Sequence, residues 1–418
     1  MTDPADTPDT PPTLLHPFAR PAAGAGRFVT IVRGEGAIVV DDRGRRLVDG
    51  LASLWYCNVG HGRREIVDAV AAQMATLENY NTFDIFTNEP ADRLAEAIAG
   101  LAPVPEARVF LANSGSEAVD TAFKLARLTA TLAGEPRRQI VVSRTLGYHG
   151  TNVGGTSLQG LPLNKAGWGP LLDDVETLAH DDLDAARALF SRRGDEIAAV
   201  IAEPVIGAGG VHPATPDYLS GLRKLCDDAG ALLIFDEVIT GFGRLGSWFA
   251  AGHYGVTPDL ITFAKAVTSG YLPLGGVVVG ARVRAALESD PAYVLRHGYT
   301  YSGHPASCAA GLANLALLDG EGLLGRVPAI AAILGGGLAA LAEDGTLAGV
   351  RGEGGVWAAV LPEGVDPLAV REGMLDRGVI ARPIGADTVA FCPPLVIDDD
   401  DLALCVEALA GAIGAAAG

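Results

Sequence analysis

Six short, largely apolar runs recur between about Pro90 and Leu318: Arg108 to Leu111, Gln139 to Val142, Ala198 to Ala202, Ala231 to Phe235, Leu260 to Phe263 and Gly275 to Val279. Such runs, with little polar alternation, read as strands buried on both faces, the mark of a parallel sheet covered by helices. Helical stretches such as Glu117 to Ala130 and Pro216 to Asp228 lie between some of them. The pattern predicts an α/β fold built on a doubly wound sheet. In such sheets ligands sit outside the carboxyl ends of the strands.

Two opposite charges stand at those ends. Asp236 directly follows Ala231 to Phe235, and Lys265 follows the next run after Ala264. A lysine against an apolar wall is driven toward its neutral amine, the form that condenses with a carbonyl. A carboxylate beside it can hold a pyridine nitrogen protonated, which makes a bound ring an electron sink. The pair also has an ordinary reading, a solvated lysine and an Asp that caps a helix. The neighbouring loops decide between them.

Asn113-Ser114-Gly115-Ser116-Glu117 follows one strand and opens a helix, so free backbone N–H groups and the hydroxyls of Ser114 and Ser116 form an anion site. The same residues also read as a Ser cap followed by Glu. Gly147-Tyr148-His149-Gly150 sets an aromatic and an imidazole on a loop at the same edge, where Tyr148 either stacks on a planar ring or packs. Glu203-Pro204 ends a further strand and by itself reads as a surface carboxylate. Gly241-Phe242-Gly243-Arg244-Leu245-Gly246 matches the dinucleotide fingerprint, but Asp236 to Thr240 separate it from its strand and Ser247-Trp248-Phe249 starts a helix poorly. It reads as a loop. Together the anion cradle, the aromatic plate, the ring-nitrogen carboxylate and the amine describe a pocket for pyridoxal phosphate.

Composition narrows the partners. The chain has 418 residues with 50 acidic against 31 basic side chains, a net charge of -19 that repels nucleic acid and anionic membrane surfaces. Neither is expected as a partner. Cys57, Cys226, Cys308, Cys392 and Cys405 show no paired spacing, so disulfides and zinc knuckles are not expected and a reducing cytoplasm is. The eight histidines lack ligand spacing, and no catalytic metal is expected. The acidic, proline-containing start argues against a secretory signal. The longest apolar stretch, Val327 to Ala342, contains Gly335, Gly336 and Gly337 and is expected to fall short of a membrane span and to pack as an ordinary helix.

The expected organisation is a flexible or draped arm over residues 1–26, the first part of a small domain over 27–89, a large cofactor-binding domain over 90–318, and the rest of the small domain over 319–418. Phe28 to Val32 and Ala37 to Val40 suggest an antiparallel ribbon turning at Asp42-Arg43-Gly44. Asp398 to Asp401 suit the start of a C-terminal helix better than a metal site.

The runs NSGSEAVDTAFKLAR (Asn113 to Arg127), YHG (Tyr148 to Gly150), AEPV (Ala202 to Val205), LLIFDEVITGFGR (Leu232 to Arg244), FAKAVTSGYLPLGG (Phe263 to Gly276) and YTYSGHP (Tyr299 to Pro305) resemble the class III pyridoxal-phosphate aminotransferases of fold type I. The resemblance covers nearly everything after residue 27, in order. It implies a large domain with a mixed, mostly parallel seven-stranded sheet covered by helices, plus a smaller α+β domain from both chain ends. It also implies that Lys265 bonds to the cofactor aldehyde and shuttles the proton, and that Asp236 binds the pyridine nitrogen. Val238 and Tyr148 would pack on the two ring faces. Gly115 and Ser116 would hold the phosphate, with Ser114, His149 and Glu203 nearby and Thr300 supplied by the second subunit of a homodimer or tetramer.

Within that family, some branches carry an arginine before a Phe-x-Pro-Pro-Leu run, used with 2-oxoglutarate. Here the run is Phe391-Cys392-Pro393-Pro394-Leu395 and Ala390 precedes it. Arg382 instead resembles the mobile arginine of the amine:pyruvate branch, which pairs with a carboxylate. A surface salt bridge is its ordinary alternative. Trp55 and Phe83, the latter crossing from the partner, resemble that branch's aromatic walls, although Tyr56-Cys57 and Phe86 depart from its pattern. The expected activity is transamination of a primary amine or ω-amino acid with pyruvate, by a ping-pong route through pyridoxamine phosphate. Alternatives are diaminopelargonate synthesis or a semialdehyde aminomutase and, in a different class, a catalytically silent dimeric binding module.

Overall fold

The computed structural model of the chain describes residues 11–416, so the expected arm is seen only from residue 11 onward. Its centre is one sheet of seven strands: β1 (Arg108–Ala112), β2 (Ile140–Arg144), β3 (Val175–Leu178), β4 (Ile197–Ala202), β5 (Leu232–Asp236), β6 (Leu260–Phe263) and β7 (Gly275–Val279). Their order across the sheet is β1-β7-β6-β5-β4-β2-β3. Every neighbouring pair is parallel except those made by β7, which runs antiparallel to both β6 and β1. The six runs singled out in the sequence are all strands of this sheet. The seventh strand, β3, escaped because it is a half-exposed edge, Val-Glu-Thr-Leu, without an apolar run.

Both faces of the sheet are covered, as continuous apolar strands require. Val141, Ala199, Ile201, Leu232, Ile234, Leu260 and Val277 pack on one side with Ala118, Val119, Ala122 and Leu125 of the helix Gly115–Leu132. Val142, Val200, Leu233, Phe235, Ile261, Phe263 and Val278 point to the other side, with Leu219, Leu222 and Cys226 of the helix Pro216–Ala229. Pro at the start of that helix and Gly230 in the left-handed conformation after it mark its limits.

The two ends of the chain share a sheet. Ile31–Glu35, Ile38–Asp41 and Arg46–Asp49 form an antiparallel meander, and Val379–Ile380 adds to it in parallel beside Arg46–Asp49. The turn at Asp42 to Gly44 joins the second and third of these strands, not the first two. The first reversal falls at Gly36, with φ 57°. A second small sheet holds Gly349–Glu353, Val356–Val360, Arg382–Ile384 and Thr388–Phe391. The acidic run starts the helix Asp399–Ala416 as its charge favours.

The helical stretch Leu323–Glu343 is longer than the sequence reading allowed, and by length and composition alone it is apolar enough to cross a bilayer. In this fold Ile330, Leu334 and Leu338 are fully buried. A π-helical turn at Ala331–Gly335 lays Gly335 directly on Trp357. Residues 16–28 drape over the surface, where His16 stacks on Phe28 at 3.8 Å between ring centroids and Phe18 lines a cleft with Leu368 and Leu375.

Candidate active site

The parallel strands β1, β2, β4, β5 and β6 all end at one edge of the sheet, and each end delivers one of the residues singled out in the sequence. Asp236, the last residue of β5, is buried. Its Oδ2 accepts a hydrogen bond from His149 Nδ1 at 2.8 Å. Its Oδ1 accepts from the Thr262 hydroxyl at 3.0 Å and from the Val238 N–H at 3.2 Å. A carboxylate has about four acceptor positions. Three are used here, and the capacity that remains suits a protonated ring nitrogen.

His149 therefore sits beside the carboxylate and fixes its orientation. Thr262 was not singled out in the sequence, although it faces Asp236 directly in the β5–β6 register. Glu203, at the end of β4, is not the surface group its ordinary reading suggested. It is buried, accepting from the Tyr148 N–H at 2.9 Å and the Gly207 N–H at 3.0 Å, and its backbone carbonyl accepts from buried Arg144. Burial pushes its carboxyl up, His149 opposes that shift and Asp236 adds to it.

Lys265 follows β6 with φ 50°, a left-handed conformation that a non-glycine residue keeps only when its surroundings impose it. Asn314 supplies part of that constraint by donating to the carbonyls of Ala266 and Val267 at 2.8 and 3.0 Å. Burial pulls the Lys265 ammonium down from its ordinary value to about 8, against the opposing charges of Asp236 and Glu203. Those carboxylates act on it through charge alone; among the described residues no hydrogen bond or ion pair reaches its nitrogen.

At the end of β1 the helix Gly115–Leu132 begins. Ser114 is its cap, accepting from the Glu117 N–H at 3.2 Å, so the capping reading of that serine holds. The Ser116 hydroxyl accepts from the Thr151 N–H at 3.0 Å, and Gly150 lies so close to Ser116 that a Cβ there would come within 2.5 Å of its Oγ. Gly115 stands against Val238, where a Cβ would meet its methyls at 3.0 Å. The two loops leave a small-residue cradle at a helix N-terminus, the place an anion is held best.

Arg382 opens the strand Arg382–Ile384, opposite Ala390 in the adjoining strand. Burial lowers its pKa, with Tyr148 opposing, and no ion pair holds it among the described residues. The surface salt bridge suggested as its ordinary role is absent there. Trp55 is buried in an apolar cluster with Val205, Ile239, Ala390 and Cys392. Phe83 and Thr300 lie elsewhere, on an exposed surface where the Phe83 ring approaches Gly298. The fingerprint-like Gly241 to Gly246 is a series of turns, so the loop reading holds, but it is buried and tied down through Arg244 and not a flexible loop.

A ring with a basic nitrogen, an aldehyde and a phosphate matches these groups point for point: Asp236 for the nitrogen, Lys265 for the aldehyde, and Gly115, Ser116 and Gly150 for the phosphate. Fold and site together define a pyridoxal-phosphate-dependent transferase of fold type I. Residues 21–413 match the sequence model of aminotransferase class-III, and the chain belongs to that family. It is 38% identical over 411 residues to a beta-alanine–pyruvate aminotransferase of Pseudomonas aeruginosa, covering 92% of this chain and 91% of that one. It is 36% identical over 431 residues to a diaminobutyrate–2-oxoglutarate transaminase of Halomonas elongata, covering 93% and 90%. Among solved structures, an amine transaminase from an uncultivated Pseudomonas species in its PLP-bound form superposes with a TM-score of 0.92 at 34% identity, covering 98% of this chain and all of that one.

Proposed function

We propose that this aminotransferase moves an amino group from a primary amine or ω-amino acid to pyruvate, giving alanine in two half-reactions. The observation that carries the acceptor is Arg382, a half-buried guanidinium that no ion pair holds among the described residues and that lies within the electrostatic reach of Tyr148 and Lys265. A guanidinium held this way gains most from a carboxylate that binds both of its prongs. Ala390, directly across the ladder, stands where the resemblance places the arginine of the 2-oxoglutarate-using branches, so that charge is lacking here.

Bound pyridoxal phosphate supplies the aldehyde that captures the amine and the ring that takes up electron density. The protein's residues do the rest. Asp236 keeps the ring nitrogen protonated, and His149 and Thr262 keep Asp236 oriented. Lys265, with its proton affinity lowered, takes the proton from the substrate carbon and returns it, as a general base poised near neutral pH does best. Tyr148 and Val238 hold the ring between them, and Trp55 lines the pocket for an apolar substituent. Phe83 and Thr300 complete the site from the second subunit of a homodimer. The exposed patch of Phe83, Ile85 and Phe86 beside the Thr300 loop supports that assembly. Five free, buried cysteines fit a reducing cytoplasm.

The decisive experiment is Arg382→Ala, assayed with pyruvate and, in the other half-reaction, with an uncharged amine. The expected result is a loss of roughly a hundredfold in kcat/KM for pyruvate and of less than about fivefold for the amine. Equal losses would overturn the carboxylate assignment.

A further inference from the structure

The turn that carries Trp55 is strained. Ala52, Ser53 and Trp55 adopt φ of 48°, 58° and 66°, and none of them is glycine. Ser53 also has ψ -89°. Such conformations persist only where the surroundings over-determine them, and they cluster where function needs a fixed geometry.

Backbone hydrogen bonds within the turn, such as Trp55 N–H to the Leu51 carbonyl at 2.9 Å, share the task with one buried carboxylate. Asp49, at the end of the strand Arg46–Asp49, accepts from the Ser53 N–H at 2.7 Å and the Leu51 N–H at 3.3 Å. His61 Nε2 donates to the same Asp49 Oδ2 at 2.8 Å. His61 is itself anchored: its backbone exchanges two hydrogen bonds with Gly36, and Gly34 has no room for a Cβ against its ring. Its other nitrogen lies 3.8 Å from Cys57 Sγ, two residues past Trp55. Burial, and then the Asp49 charge, push that thiol up to about 12, so it stays an S–H donor to the imidazole. The chain Asp49, His61, Cys57 thus closes around the turn from both ends.

The far side of the turn is fitted to the catalytic loop. The Tyr56 ring lies directly on Gly270, five residues beyond Lys265, and the Val59 N–H donates to Ser269 Oγ at 3.2 Å. The Trp55 indole is left in the cluster that contains Ala390 and Cys392, beside the strand partner of Arg382.

We infer that Asp49, braced by His61, is a positioning residue that holds the Trp55 indole as one wall of the amine pocket and so sets the size of amine substituent the enzyme accepts. This rests on the reading of Trp55 as a pocket wall, made above. Asp49 touches neither cofactor nor substrate. It acts by stabilising a turn that the chain would otherwise relax.

The test is Asp49→Asn in the holoenzyme, alone and combined with Trp55→Ala. The expected result with a bulky apolar amine is a change in kcat/KM of roughly tenfold or more, carried by KM, while L-alanine changes by less than about twofold and the absorbance of the bound cofactor stays in place. In the Trp55→Ala background the added substitution leaves the bulky-to-small ratio unchanged. A crystal structure of the Asp49→Asn holoenzyme shows the indole displaced with Lys265 and Asp236 unmoved. An indole in its original place, equal losses for both donors, or an undiminished effect without the indole overturns the proposal. Failure of the wild-type enzyme to use any amine with pyruvate overturns the functional reading instead, because the indole position is read without substrate.

Discussion

At the scale of single residues, the proposed chemistry hangs on the protonation of Lys265. With a value of about 8 against an ordinary 10.5, about one amine in ten is neutral at pH 7, compared with about one in three thousand for a solvated lysine. Between those two values the unfolded chain binds more protons than the folded one, so this group's contribution to stability improves as pH rises through the window. Reactivity toward an aldehyde follows the neutral form in the same direction. Uptake of pyridoxal phosphate by the cofactor-free protein, followed by absorbance, is expected to accelerate with pH and reach half its plateau near 8. A flat profile across that range would contradict the depressed value. Lys265→Ala is expected to abolish turnover while the circular dichroism spectrum stays native. Lys265 and Asp236 were legible because each ends an apolar run in the sequence. The His149 bond to Asp236 was not, since the two are far apart in sequence and meet only when β2 and β5 are placed in one sheet.

At the scale of elements, the strand-to-helix joint at Ser114 caps a helix and lies at the proposed phosphate cradle. Ser114→Ala removes the cap of the helix Gly115–Leu132 and is expected to cost about 1 kcal/mol in urea unfolding of the cofactor-free protein. Gly150→Ala forces a Cβ toward Ser116 from a backbone with φ 91°. Strain of that kind costs roughly 1–3 kcal/mol, and the expected readout is a loss of about tenfold in cofactor affinity. Unchanged affinity would mean that this loop does not shape the phosphate cradle. The five inner strands were readable because both of their faces are apolar, and β1, an edge strand, still carries the apolar run Val109 to Leu111. β3, at the other edge, was not, because Glu176 and Thr177 interrupt its apolar residues. The turn at Gly36 was missed for a related reason: Asp42-Arg43-Gly44 carries the stronger local signal, and it does make a turn, one strand later.

At the scale of the whole molecule, the rejected fingerprint proves to be the tie between the layers. Arg244, fully buried, donates to the carbonyls of Gly355 at 3.1 Å and Pro393 at 2.6 Å and to the side chain of Asn58. Asn58 in turn donates to the Phe242 carbonyl at 2.8 Å. Arg244→Met would leave those acceptors buried and unpaired, and is expected to destabilise the holoenzyme by roughly 3 kcal/mol, measured by denaturant unfolding. A loss of less than about 1 kcal/mol would show that the tie is dispensable. Nothing local in Gly-Phe-Gly-Arg-Leu-Gly announces this, because its partners come from three distant stretches of chain. Asp236 and Lys265 follow strands of the central sheet, whereas Arg382 rides on a hairpin of a different one. A trade of side chains across that single ladder is nevertheless felt at Lys265, because the Arg382 charge helps to lower its ammonium.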